Sequence, residues 1–285
     1  MGVEPSTGAR VHSEPVTAAG VQVDAVLNDV RYRSDDPATV GDWYRPVVRG
    51  PGPHPAVVAI HGGAWRSGDK WALSSYAKRF AAAGIGVFAI NYRLAPEHQF
   101  PAALDDVRDA IHYLIDHSEE LDLDADRLGL FGYSAGGHLA LLAGMTTRES
   151  PPPIRESSPI RRSFPVIRAV VAGGAVTDFR GVPIDATLFD YFLGGTRRQR
   201  PDVYEAASPA AHVTVQCPPT LLYHGGSDLV VQVDMSRQLA ARLEAAGVEH
   251  ELVIYRPLGH GLTFLHPGAA GEATRFLVEH LQPSN

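Results

Sequence analysis

Leu128-Gly129-Leu130-Phe131-Gly132-Tyr133-Ser134-Ala135-Gly136-Gly137 is the stretch whose reading decides the fold. Its opening apolar run suits a short buried strand, and the run from Ala135 to Met145 suits a helix. Between them stands a serine with a glycine two places away on either side. A turn this tight needs glycine there, and it leaves the hydroxyl exposed at a helix N-terminus, where the dipole favours developing negative charge. A plain glycine-rich turn is the structural alternative; the strand before and the helix after favour Ser134 as a nucleophile.

Outward from this turn, strand-like runs at 56–60, 86–90, 128–131, 167–172, 220–223 and 251–255 alternate with helical patterns at 73–83, 102–117, 135–145, 233–246 and 269–281. Alternation of this kind predicts an α/β fold, a mostly parallel central sheet with helices on both faces. Chemistry is then expected in the loops that follow the strands, because ligands bind beyond the carboxyl ends of such sheets. Residues 1–24 lack periodicity and read as a loose N-terminal arm. The remainder, 25–285, reads as a single domain, with a surface loop at 148–164 and a small cap-like, aromatic insertion around 180–206.

At 285 residues and 45 % hydrophobic, the chain is long enough for one large core. The net charge of −7 is spread along the sequence, which argues against a nucleic-acid partner. The absence of a long apolar run argues against a membrane partner, and the first twenty residues carry no signal-like core, so a cytoplasmic address is expected. With Cys217 alone, neither a disulfide framework nor a cysteine-based zinc site is available. A homodimer is compatible with such a fold, though no residue specifies one.

A second signal, His61-Gly62-Gly63-Ala64-Trp65, follows the strand at 56–60. A tetrahedral intermediate needs preorganised N–H donors, and a glycine-rich turn brings the backbone close enough to supply them. The expected oxyanion hole is the N–H groups of Gly63, Ala64 and Ala135. His61 is expected to hydrogen-bond structurally rather than act as a base.

A serine needs an imidazole to take its proton, and the imidazole needs an acid to fix its tautomer. Downstream, His224-Gly225-Gly226-Ser227-Asp228 follows the strand at 220–223, and Gly259-His260-Gly261 follows the one at 251–255. Asp228 and His260 thus have the position and the order required. Among their rivals, Asp178 follows another strand and could orient a residue or line the site, whereas Asp234 suits a helix start. His266 lies beyond the loop, and His112 and Asp116 share a helix face without forming a metal site.

These motifs, with Asn91-Tyr92-Arg93-Leu94-Ala95-Pro96-Glu97, Phe100-Pro101-Ala102-Ala103-Leu104-Asp105-Asp106, Phe192-Leu193-Gly194-Gly195 and Ala207-Ser208-Pro209, resemble the α/β-hydrolase superfamily. Within it they are similar to the hormone-sensitive-lipase-like and bacterial feruloyl-esterase-like carboxylesterases. The resemblance implies the α/β-hydrolase fold and ester hydrolysis through an acyl-enzyme, with no metal or organic cofactor. It assigns Arg93, Glu97 and Asp105 to tying a loop to a helix. Two departures are Tyr133, where many relatives carry Asp or Thr, and Ala64, which replaces a third glycine.

The expected function is a serine carboxylesterase acting on small-molecule short-acyl or aromatic esters. Trp65, Tyr133, Leu262, Tyr191 and Phe192 are the expected substrate-contact residues, each equally placed to serve an ordinary core. Alternatives are an arylformamidase-like amide hydrolase, a biosynthetic acyltransferase or lactonase, and a non-catalytic ligand-binding protein of the same fold.

Overall fold

A computed structural model describes residues 26–47, 52–146 and 166–282. The expected N-terminal arm and the 148–164 loop lie outside the described residues. Among the described residues eight strands form one sheet: β1 Val26–Arg31, β2 Val40–Tyr44, β3 His54–Ile60, β4 Gly86–Ile90, β5 Leu123–Tyr133, β6 Ile167–Gly173, β7 Thr220–Gly225 and β8 His250–Tyr255. Their order is β1-β2-β4-β3-β5-β6-β7-β8. β1 and β2 are antiparallel to their neighbours, and every pairing from β4 to β8 is parallel.

The helices are α1 Ser74–Ala82, α2 Ala102–Asp116, α3 Ser118–Leu121, α4 Ala135–Met145, α5 Asp190–Leu193, α6 Pro201–Ala206, α7 Asp234–Ala245, α8 His260–Leu265 and α9 Pro267–Leu281. They cover both faces of the sheet, as β3 shows residue by residue. Ala56, Val58 and Ile60 pack into one cluster with Leu104, Val107 and Ile111 of α2 and Leu139 of α4. Val57 and Ala59 pack on the other face with Phe80 of α1 and Phe276 of α9. Strand side chains alternate between faces, so a strand covered on both sides must be apolar at every position. Each fully buried aliphatic side chain contributes about 1.5–3 kcal/mol through burial. Helix α4 is buried along its whole length, which explains why its sequence is apolar all round.

Register brings the candidate site together. Ile60 pairs with Gly132, Tyr133 with Gly173, Gly173 with Tyr223, and Gly225 with Tyr255. The chain therefore leaves β3, β5, β6, β7 and β8 along one edge of the sheet, with His61, Ser134, Gly174, Asp228 and His260 on the exits. The segment expected as an insertion carries α5 and α6 between β6 and β7, followed by a 3-10 turn at Pro209–Ala211. Among the described residues, no helix is long and apolar enough to cross a membrane.

Candidate active site

Ser134 sits between β5 and α4 at φ 56°, ψ −121°, a conformation that costs an L-residue about 1–3 kcal/mol. The surroundings hold it there. Its N–H donates to the Gly173 carbonyl at 2.7 Å, and its carbonyl accepts from His138 N–H at 2.9 Å. Both flanking glycines are sterically required. A Cβ on Gly136 would lie 2.0 Å from the Ile60 carbonyl oxygen, and one on Gly132 2.2 Å from that of Gly136.

The loop after β3 lies against this turn: a Cβ on Gly62 would stand 3.3 Å from that of Ser134. Two peptide planes in the loop are fixed from behind. His61 Nδ1 donates to the Gly62 carbonyl at 2.7 Å. The Gly63 carbonyl accepts from the N–H groups of Arg66 and Ser67 at 3.2 and 3.1 Å, and from Ser67 Oγ at 3.0 Å. In a trans peptide the N–H points opposite to the carbonyl, so these bonds turn Gly63 N–H and Ala64 N–H away from the donors that hold the carbonyls. Among the described residues, the N–H groups of Gly63, Ala64 and Ala135 have no backbone acceptor. Burial lowers the His61 pKa, which keeps the ring neutral.

His260 opens α8, and its Nδ1 lies 2.6 Å from Asp228 Oδ2. The loops that carry them are tied together by Gly226 N–H to the Tyr255 carbonyl at 2.9 Å and Ser227 N–H to the Leu258 carbonyl at 3.0 Å. Asp228 is 8 % exposed, so its charge depends on donors. Its Oδ1 accepts from Val230 and Val231 N–H at 2.8 and 2.9 Å. His224 Nε2 donates to the Val231 carbonyl at 2.9 Å and lies 3.3 Å from Asp228 Oδ2. Burial lowers the His224 pKa, and with the proton on Nε2 its Nδ1 accepts from Ser236 Oγ at 2.7 Å.

The rivals fall elsewhere. Asp178 pairs with Arg180 at 2.6 Å, and Asp234, the first residue of α7, pairs with Arg237 at 2.8 Å. Arg93 ties its loop to α2 through Asp106, at 2.7 Å, rather than through the expected Asp105. Asp106 is fully buried and accepts Arg93's own N–H as well, which its neighbour on the outer face of α2 does not.

Of the five residues expected to touch substrate, three are committed within the protein. Trp65, 3 % exposed, stacks on the fully buried Phe192 with ring centroids 4.3 Å apart. Tyr133 is buried under His260, and its hydroxyl donates to the His260 carbonyl; burial raises its pKa, so it remains a donor. Tyr191 is half-buried, with its hydroxyl 3.0 Å from the Ala64 carbonyl, and Leu262 is exposed beside His260. Two buried histidines had no expected role: His224, which stands only as the start of the motif leading to Asp228, and His138. Their spacings, four residues before Asp228 and four after Ser134, were the available signal.

A parallel sheet with a strained serine at the strand-to-helix turn, and a histidine–carboxylate pair on the last two exits, defines an α/β-hydrolase. The family model described as BD-FAE matches residues 42–243, and the chain belongs to that family. It is similar to Esterase LipC of Mycobacterium tuberculosis, 34 % identical over 83 % of this chain and 60 % of that protein. It is also similar to that organism's probable carboxylic ester hydrolase LipM, 30 % identical over 76 % of this chain and 50 % of that protein. The chain thus spans between half and three-fifths of the length of these curated relatives. Among solved structures it resembles a truncated carbohydrate esterase from gut microbiota, with a TM-score of 0.82 at 24 % identity, over 93 % of this chain and 99 % of that one.

Proposed function

We propose that this protein is a serine carboxylesterase that hydrolyses short-acyl or aromatic esters through an acyl-enzyme. The observation that carries the reading is the 2.6 Å His260–Asp228 pair, carried on the same sheet edge as the strained Ser134. Relatives whose names describe them as esterases support it.

In this reading Ser134 Oγ attacks the ester carbonyl carbon while His260 Nε2 takes the hydroxyl proton. Asp228 accepts Nδ1–H, fixing the tautomer and stabilising the imidazolium. The N–H groups of Gly63, Ala64 and Ala135 hold the negative oxygen of the tetrahedral intermediate. His260 then gives the proton to the departing alkoxide, leaving acyl-Ser134. Water attacks the acyl carbon, its proton passing through His260 back to Ser134 Oγ, and the acid is released. Of the five expected contacts, Leu262 is the exposed side chain left to meet the substrate.

Turnover of p-nitrophenyl esters from acetate to decanoate tests the substrate class. Highest kcat/KM at two to four acyl carbons is the expected profile. A maximum at eight or more carbons, or none at any length, would contradict it.

A further inference from the structure

Ala64 and Trp65 are consecutive non-glycine residues in the left-handed region, at φ 53° and 58°. Each such residue costs about 1–2 kcal/mol, so the loop keeps this shape only where its surroundings hold it. Trp65 is held on both sides. Its Nε1 donates to His138 Nδ1 at 3.1 Å, while His138 Nε2 donates to the Ala207 carbonyl at 2.7 Å. Its ring lies flat on Phe192, and its carbonyl accepts from Ala95 N–H at 2.8 Å.

The peptide before Ala64 is held through the Gly63 carbonyl, and the peptide after it has, among the described residues, one hydrogen-bond anchor. The peptide joining it to Trp65 presents its carbonyl to Tyr191 Oη at 3.0 Å. Tyr191 comes from α5 and is itself fixed: the neighbouring Phe192 is buried in the core, and the Arg66 guanidinium lies over the Tyr191 ring, 5.3 Å from its centroid. The bond therefore runs from the insertion to the carbonyl between the two strained residues, directly after the Ala64 N–H read as an oxyanion donor.

We propose that Tyr191 is a positioning residue for the oxyanion loop: its hydroxyl, bonded to the Ala64 carbonyl, holds the left-handed pair that presents the Gly63 and Ala64 N–H groups. The inference rests on those two groups being the oxyanion donors. It differs from a substrate-contact role for Tyr191 in a measurable way. A substrate contact formed equally in ground and transition states changes KM, whereas a held oxyanion donor changes kcat.

The test is Tyr191→Phe in the full chain, which removes one oxygen and leaves the ring packed. The expected result is a kcat on p-nitrophenyl acetate lowered about tenfold, with KM within about twofold. Affinity for a trifluoromethyl ketone, which forms an oxyanion on the enzyme, falls by a similar factor. Amide hydrogen exchange across 61–68 speeds up several-fold while β5 and α4 stay protected. A raised KM with kcat unchanged, or unchanged exchange in the loop, overturns the proposal. If the wild-type protein shows no ester turnover, the esterase reading fails separately. Exchange then decides alone: faster in the variant supports the clamp, unchanged refutes it.

Discussion

His260 Nδ1 stands 2.6 Å from Oδ2 of Asp228, a residue 32 positions earlier in the chain. The approach joins the exits of two neighbouring parallel strands, and the buried carboxylate accepts further N–H groups from Val230 and Val231. Asp228→Asn preserves volume but turns an amide N–H towards the His260 and His224 protons. Steady-state kinetics should show kcat lowered about 10³–10⁴-fold. Asp178→Asn, which loses the ion pair with Arg180, should stay within about twofold of wild type.

The strain at Ser134 sets function against stability. Ser134→Gly should raise stability to urea by about 1 kcal/mol, because glycine takes φ 56° without a Cβ penalty, while abolishing turnover. Ser134→Ala should abolish turnover with no such gain. Equal stability of the two variants would mean that the turn is not strained.

Ala64 and Gly63 should respond in opposite ways. Ala64→Gly keeps the N–H and relieves a left-handed residue, so kcat should remain within about threefold. Gly63→Ala would place a Cβ 2.0 Å from the Ser67 carbonyl oxygen, at φ 126°, and must displace the loop. Its kcat should fall about 10²-fold or more, as for loss of an oxyanion donor.

His138 makes stability pH-dependent. Burial lowers its pKa to about 4, against about 6.5 in an unfolded chain. Between these values the unfolded chain binds a proton that the folded chain does not. Its contribution is therefore intact above pH 6.5 and is lost as pH falls towards 4, by about 1.4 kcal/mol per unit. His61 and His224, also lowered by burial, add to the same fall. Asp105, whose pKa burial raises to about 6, acts in the opposite direction below that pH, so the check is the difference in urea stability between wild type and His138→Gln, which should shrink as pH falls from 7 to 5.

Much of this was legible in the residues, for identifiable reasons. Strand segments buried on both faces, such as 56–60, 86–90 and 128–131, are apolar throughout and stood out for that reason, and Gly132, Ser134 and Gly136 marked the turn between β5 and α4. The antiparallel β1 and β2 were missed: Val26–Arg31 mixes polar with apolar residues because it lies at the sheet's edge, and Val40–Tyr44, though paired on both sides, is short and carries Gly41 and Asp42. Asp228 and His260 followed from their places after strands. What composition could not give was the direction of each aromatic. Trp65 and Phe192 look like pocket residues in sequence, but they bury each other, and Tyr191's role depends on a hydrogen bond across 127 residues.

If Ser134 is an activated nucleophile, intact-protein mass spectrometry after treatment with a fluorophosphonate will show it. The wild-type protein should gain a single phosphonyl adduct, mapped by peptide analysis to Ser134, and Ser134→Ala should gain none. An unmodified, folded wild type, or equal labelling of the variant, would contradict the account.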